Sequence, residues 1–178
     1  MFAIVLAALD RSGSVLPILC AMAVHELAHI VMMLACGGQV RRLTLRFADL
    51  QIAASGLGYR QELLSALAGP LVNLICGAAF CMQRPSFAAY SLMLGIYNLL
   101  PVWPLDGGRV LRCALLARLP ITQAEHISEI VSFAACAVLL LIGVFLIFFR
   151  KSGLWPLGTA AYLTVRLLML ARRTDAVQ

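Results

Sequence analysis

Long apolar stretches with few or no charged side chains dominate this chain and decide what it can fold into. They cover residues 14–36, 63–83, 86–103, 130–149 and 154–171. A helix needs about 20 apolar residues to cross a membrane. Because 62% of the 178 residues are hydrophobic and only 12% are charged, against about 25% in soluble domains, a water-soluble globule is excluded. We expect an all-α polytopic membrane protein with about five to six transmembrane helices, and residues 1–9 are too short to cross alone.

The connector between the first two long stretches carries a different pattern. Apolar and polar side chains alternate along residues 42–52, as in a half-buried β-strand. This pattern predicts a short membrane-associated β-hairpin that turns near Ala48 and Asp49. The Gly37-Gly38 pair before it is typical of a helix end.

The positive charges are distributed unevenly over the predicted loops. The net charge of +6 comes from 13 Arg and one Lys against eight acids, and in so apolar a chain this balance indicates cytoplasmic loops rather than nucleic-acid binding. If the connector 37–62 is cytoplasmic, that side carries nine arginines, namely Arg41, Arg42, Arg46, Arg60, Arg109, Arg112, Arg118, Arg172 and Arg173. The other side carries four positive side chains, namely Arg11, Arg84, Arg150 and Lys151. The positive-inside rule therefore favours this orientation.

The first apolar stretch contains the sequence His25-Glu26-Leu27-Ala28-His29, an HExxH motif. A spacing of four places both imidazoles on one helix face, where they can bind one Zn²⁺, and Glu26 beside them can deprotonate a water molecule. The alternative is a chance motif without function. An ionisable side chain at membrane depth costs about 2.5 kcal/mol or more, which argues against that alternative.

A catalytic zinc needs a third protein ligand. The candidates from the sequence are Asp49, Glu62, Asp106, Cys113, Glu125, His126 and Glu129. Asp106 is favoured because it follows a long charge-free run, and because Pro101 and Pro104 break the helix there and present a side chain inside a bundle. The alternative is that Asp106 only caps a helix from Gly107 to Leu119.

Asn73 is a second candidate for the site. It shares one helical stripe with the small residues Ala66, Gly69 and Gly77, a pattern typical of close helix packing in membranes. A buried amide needs a hydrogen-bond partner, and the free N–H of a metal-ligating histidine is one.

These motifs together resemble the site-2 protease family of intramembrane zinc metalloproteases. The resemblance is carried by HELAH, by the AGPLVN sequence at 68–73 and by NLLPVWPLDGG at 98–108. It is strongest toward the branch typified by the stage IV sporulation protease FB. That branch usually has a further helix before HExxH and a C-terminal CBS domain. Here we expect one membrane domain over residues 1–178, with no soluble CBS or PDZ domain.

The resemblance implies His25, His29 and Asp106 as zinc ligands and Glu26 as general base. It further implies that Asn98 positions substrate and that Pro101 and Pro104 shape the loop around Asp106. The implied reaction is hydrolysis of peptide bonds in a membrane-associated protein, such as the precursor of a transcription regulator or an anti-sigma factor. An inhibitory membrane partner is implied as well, and a homo-oligomer stays open. The alternatives are a CAAX-type membrane peptidase and a non-catalytic zinc-binding membrane protein.

Overall fold

The computed structural model describes residues 13–46, 49–55, 57–150, 158–165, 167 and 169. Its elements follow in the order α1 (Val15–Ala35), β1 (Gln39–Arg46), β2 (Asp49–Ser55), α2 (Tyr59–Ala79), α3 (Pro85–Asn98), α4 (Asp106–Leu116) and α5 (Ile121–Arg150). Residues 158–165 are also helical. Packing divides the chain into two compact units, Met1–Leu99 and Leu100–Gln178. The single membrane domain over residues 1–178 stays a prediction.

Three helices within the described residues are long and apolar enough to cross a membrane, namely Val15–Ala35, Tyr59–Ala79 and Ile121–Leu146. The expected span 86–103 is wrong at its end, because α3 stops at Asn98. Its 14 residues extend only about 21 Å, against about 30 Å of bilayer core. Pro101 explains the stop, since the residue before a proline disfavours the helical conformation. The count of five to six spans stays a prediction.

In the first unit, α1 ends where the glycine pair predicts. Gly37 adopts a left-handed backbone with φ of 81°, and its N–H donates to the Leu34 carbonyl at 2.9 Å. Only glycine adopts this conformation without strain, so the chain leaves α1 at this point and enters β1.

The two strands pair in antiparallel register. Leu43 lies opposite Ile52 and Arg46 lies opposite Asp49, with a register shift between Val40 and Arg42. The connection at residues 47–48, which includes the predicted turn position Ala48, lies outside the described residues. The strands span 39–46 and 49–55, a few residues more at each end than the alternating pattern indicated.

Small residues allow α2 and α3 to pack closely. A Cβ at Gly95 would lie 3.0 Å from the Pro70 carbonyl oxygen, and a Cβ at Gly77 would lie 3.1 Å from the Ala88 carbonyl oxygen. Contacts this short are tighter than almost all real Cβ contacts, so a side chain at either position would have to push the two helices apart by a few tenths of an ångström. The stripe of small residues in the sequence is therefore a helix-packing face, and it brings α2 close to its neighbours.

In the second unit, α4 packs on α5. Arg112 donates to Glu125 at 2.9 Å, and both side chains are partly exposed. α5 begins at Ile121, directly after Pro120 and nine residues before the predicted span at 130. The residues between Asn98 and α4 form turns rather than helix.

Candidate metal centre

His25 and His29 lie on one face of α1, as their spacing predicts. Both are buried, and their ring centroids are 4.7 Å apart in an edge-to-face arrangement. Glu26 lies between them in sequence and is half-buried. An unpaired imidazole is expensive to bury, so the partners of each ring decide what the pair can do.

The proton on His29 is fixed by α2. His29 Nδ1 donates to the Ser65 carbonyl oxygen at 2.7 Å, and the Ser65 hydroxyl donates back to the His29 carbonyl at 3.3 Å. Because a carbonyl can only accept, Nδ1 carries the proton of the neutral ring. The lone pair is therefore on Nε2, which is the form that binds a metal.

His25 is held from the same helix. Its Nδ1 lies 3.2 Å from the Asn73 side-chain nitrogen, and Asn73 is fully buried. The other end of the amide, Oδ1, is buried with no hydrogen-bond partner among the described residues. Exchange of the two ends of the amide lets Oδ1 accept from the Nδ1–H of His25. That arrangement pairs the buried oxygen and leaves the lone pair of His25 on Nε2.

The two Nε2 atoms face one another at 3.1 Å. A tetrahedral zinc with Zn–N bonds of about 2.0–2.1 Å separates two nitrogen ligands by about 3.4 Å. The observed separation is close to this value. The imidazole pair therefore fits a shared metal ion, with the opposite nitrogen of each ring contacting α2.

Gly69 makes space beside both rings. A Cβ at this position would lie 2.6 Å from Cε1 of His29 and 2.9 Å from Cε1 of His25. Sequence reasoning assigned Gly69 to helix packing only, and it missed Ser65 altogether. Ser65, Gly69 and Asn73 follow one another at intervals of four. A search for small and polar residues that share one face of α2 would therefore have found all three.

The remaining predicted ligand is Asp106. It is largely buried, and its Oδ1 lies 3.9 Å from the Arg109 guanidinium. Leu105 occupies the N-cap position of α4, whose first residue is Asp106. The helix-cap alternative is therefore wrong in position, although a carboxylate in the first turn still favours the helix dipole.

His25 and His29 lie in the first compact unit and Asp106 lies in the second. Asp106 as the third ligand of a metal held by the two histidines therefore stays a prediction. The other candidate ligands from the sequence have different surroundings. Glu125 pairs with Arg112, Cys113 is buried, and His126 and Glu129 are exposed. Glu62 lies in the first turn of α2, and the side chain of Asp49 lies outside the described residues.

The residues predicted around Asp106 lie in or before the loop that precedes α4. Pro101 and Pro104 are in this loop, and the Trp103-Pro104 peptide bond is cis. Asn98 ends α3, and its amide nitrogen donates to the Leu94 carbonyl of the same helix at 3.1 Å. Its predicted contact with substrate stays a prediction.

Comparison with known proteins bears on the nature of this site. Residues 84–142, which include Asp106, match the model of peptidase family M50. A zinc metalloprotease of Methanocaldococcus jannaschii is 26% identical over 133 residues, which are 67% of this chain and 39% of that protein. Stage IV sporulation protein FB of Bacillus subtilis is 28% identical over 138 residues, which are 70% of this chain and 47% of that protein.

Over residues 84–142, this chain is similar to peptidase family M50. The resemblance inferred from its motifs is confirmed, and the similarity extends to an archaeal zinc metalloprotease as much as to the sporulation branch. The chain spans less than half the length of these curated relatives. With its three apolar helices, it is a membrane protein.

The fold of this chain has a counterpart among solved structures. It is similar to the site-2 protease from Methanocaldococcus jannaschii, with a TM-score of 0.67 and 20% sequence identity. The match covers 94% of this chain and 83% of that one. This likeness concerns the arrangement of the backbone.

Proposed function

We propose that this chain is an intramembrane zinc metalloprotease that hydrolyses peptide bonds of membrane-associated proteins. The observation that carries the proposal is the pair of buried imidazoles on the HExxH helix. Their Nδ1 atoms contact Ser65 and Asn73, and their Nε2 atoms face one another at 3.1 Å. The match of residues 84–142 to the model of peptidase family M50 supports the same reaction.

His25, His29 and Asp106 would hold the zinc. Two neutral nitrogen ligands and one carboxylate form a donor set typical of catalytic zinc, which keeps a position open. Bound there, zinc supplies a Lewis acid for the scissile carbonyl and lowers the pKa of a water molecule to about 7. Asn73 and Ser65 orient the imidazoles, and such contacts fix the tautomer of a ligating histidine.

Glu26 is the proposed general base. A carboxylate oxygen of Glu26 accepts a proton from the attacking water and passes it to the leaving nitrogen. A carbon–oxygen bond forms at the scissile carbonyl as the carbon–nitrogen bond breaks, so water is consumed and two peptide ends result. Asn98 positions the substrate, and Pro101 and Pro104 shape the loop that presents Asp106.

The proposed substrate is a membrane-associated protein, such as a precursor of a transcription regulator, and the proposed regulator is an inhibitory membrane partner. A helical substrate must unwind first, because a hydrogen-bonded backbone does not expose its carbonyl. The resemblance of the motifs supports these roles, and one matched relative is named as a sporulation protein. We propose no nucleic-acid partner.

The test of this function compares three peptides that contain one cleavage sequence. The first is anchored by an apolar helix, the second is free in solution, and the third ends in a prenylated CAAX motif. With one zinc per chain in liposomes, we expect cleavage of the anchored peptide at least tenfold faster than cleavage of the other two. Preference for the free or the prenylated peptide would support another membrane peptidase. Bound zinc without cleavage of any peptide would support a non-catalytic zinc protein.

We also propose that the chain crosses the membrane five or six times, with the hairpin at the cytoplasmic surface and the active site open to that side. The nine-to-four distribution of positive side chains supports this orientation. The variant Asp49→Cys, made after replacement of the six native cysteines, should react with a membrane-impermeant maleimide from the cytoplasmic side only. Arg84→Cys in the same background is the control for the opposite side. Labelling of Asp49→Cys from the outside alone would reverse the proposed topology.

A further inference from the structure

Ser132 is a fully buried polar residue of α5, and neither the HExxH motif nor the metal-ligand set includes it. Its hydroxyl donates to the Ser128 carbonyl at 2.8 Å and accepts from the Trp103 N–H at 3.2 Å. The hydroxyl oxygen also lies 3.4 Å from the Pro101 carbonyl oxygen. One side chain of a long helix therefore contacts both ends of the Pro101–Trp103 segment.

The backbone of the loop 101–105 depends on this contact. Proline has no N–H, so only Val102, Trp103 and Leu105 have one to pair. Val102 donates to Leu100 and Leu105 donates to Val102, at 2.7 and 2.8 Å. The Trp103 N–H donates outside the loop, to Ser132. An N–H that is removed from water without gaining a partner is destabilising, so the hydroxyl of Ser132 favours one position for the middle of the loop.

The loop is also fixed on its other side. A Cβ at Gly108 would lie 2.6 Å from both the Trp103 nitrogen and the Val102 carbonyl carbon, so the first turn of α4 rests directly on the loop. The Arg112 guanidinium lies 5.9 Å from the centroid of the Trp103 ring, within the range of a cation–π interaction. Asp106 follows Trp103 by three residues and begins α4. The position of its carboxylate is therefore coupled to that of Trp103.

We propose that Ser132 is a positioning residue for Asp106, through its hydrogen bonds to the loop. The proposal rests on the role of Asp106 as a metal ligand given under the proposed function. α5 supplies no ligand itself, but it sets the place of the third ligand through one hydroxyl. Loss of that hydroxyl lets the loop shift and removes Asp106 from the geometry in which it binds zinc.

The experiment measures zinc affinity by competition with a chelator in detergent. Ser132→Ala should weaken zinc binding about 10- to 100-fold, the range for residues that orient a metal ligand. The matched control is Ser128→Ala, one turn earlier on the same buried face, whose side chain makes no hydrogen bond to the loop among the described residues. This control should keep the parent affinity.

A double-mutant cycle separates positioning from general loss of structure. In an Asp106→Asn background, measured at higher free zinc, Ser132→Ala should cause no further loss, because it acts through Asp106. The proposal would be overturned if Ser132→Ala lowered zinc affinity equally in the parent and in Asp106→Asn. It would also be overturned if Ser132→Ala kept the zinc affinity of the parent. If Ser132→Ala is not recovered folded, Ser132→Cys replaces it under the same criteria, since a thiol is only a weak donor and acceptor. If Asp106→Asn itself keeps full zinc affinity, the ligand role of Asp106 fails instead.

Discussion

Glu26→Gln is expected to reduce cleavage about 10²- to 10⁴-fold while bound zinc stays at the parent level. Glutamine keeps the shape of the side chain and removes its basicity, so the water loses its proton acceptor. His25 and His29 are unchanged, and their contacts with Asn73 and Ser65 lie on α2. The measurement combines zinc content with the rate of cleavage of a membrane-anchored peptide in liposomes.

The matched control for this variant is Glu129→Gln. Glu129 is exposed on α5 and is not one of the proposed metal ligands. The same chemical change there should leave the rate within about twofold of the parent, because surface substitutions usually have small effects. Cleavage by Glu26→Gln at the parent rate would show that another group accepts the proton. The HExxH mechanism would then be wrong for this chain.

Asp106→Asn is expected to weaken zinc binding by more than about 100-fold, beyond the effect of losing an orienting contact. Asparagine keeps the size of the side chain and its place in the first turn of α4, but it loses the charge that balances the metal. Zinc affinity is measured by chelator competition, and cleavage should fall together with occupancy. The variant should keep its helix, since asparagine is well tolerated near a helix N-terminus.

Asp106→Asn also tests the alternative that Asp106 only stabilises the N-terminal end of α4 and binds no metal. Full zinc occupancy with full activity would return Asp106 to stabilising α4 through its charge and its contact with Arg109. The third ligand would then be sought among the other candidates, first Glu62 and His126.

The histidine pair was predictable from the sequence because its geometry is local. Positions 25 and 29 share a helix face wherever the helix lies, and charge-free stretches identify helices without knowledge of their neighbours. Reliance on local hydropathy also explains why the end of α3 was predicted too late. Hydropathy continues to residue 103, but Pro101 disfavours the helical conformation before that point, and the helix ends at Asn98.

The parts of the site that sequence reasoning missed are contacts between distant segments. Ser65 pairs with His29 across 36 residues, and Ser132 pairs with Trp103 across 29. Serine is common in membrane helices, and nothing in its own neighbourhood shows which carbonyl or N–H it will meet. Gly69 is similar, because its role depends on two imidazoles of another helix.

The most direct test of the account measures bound zinc and cleaved product in one preparation of the parent, Glu26→Gln and His25→Ala. The account predicts zinc and product in the parent, zinc without product in Glu26→Gln, and neither in His25→Ala. Cleavage by a His25→Ala preparation that contains no zinc would contradict it.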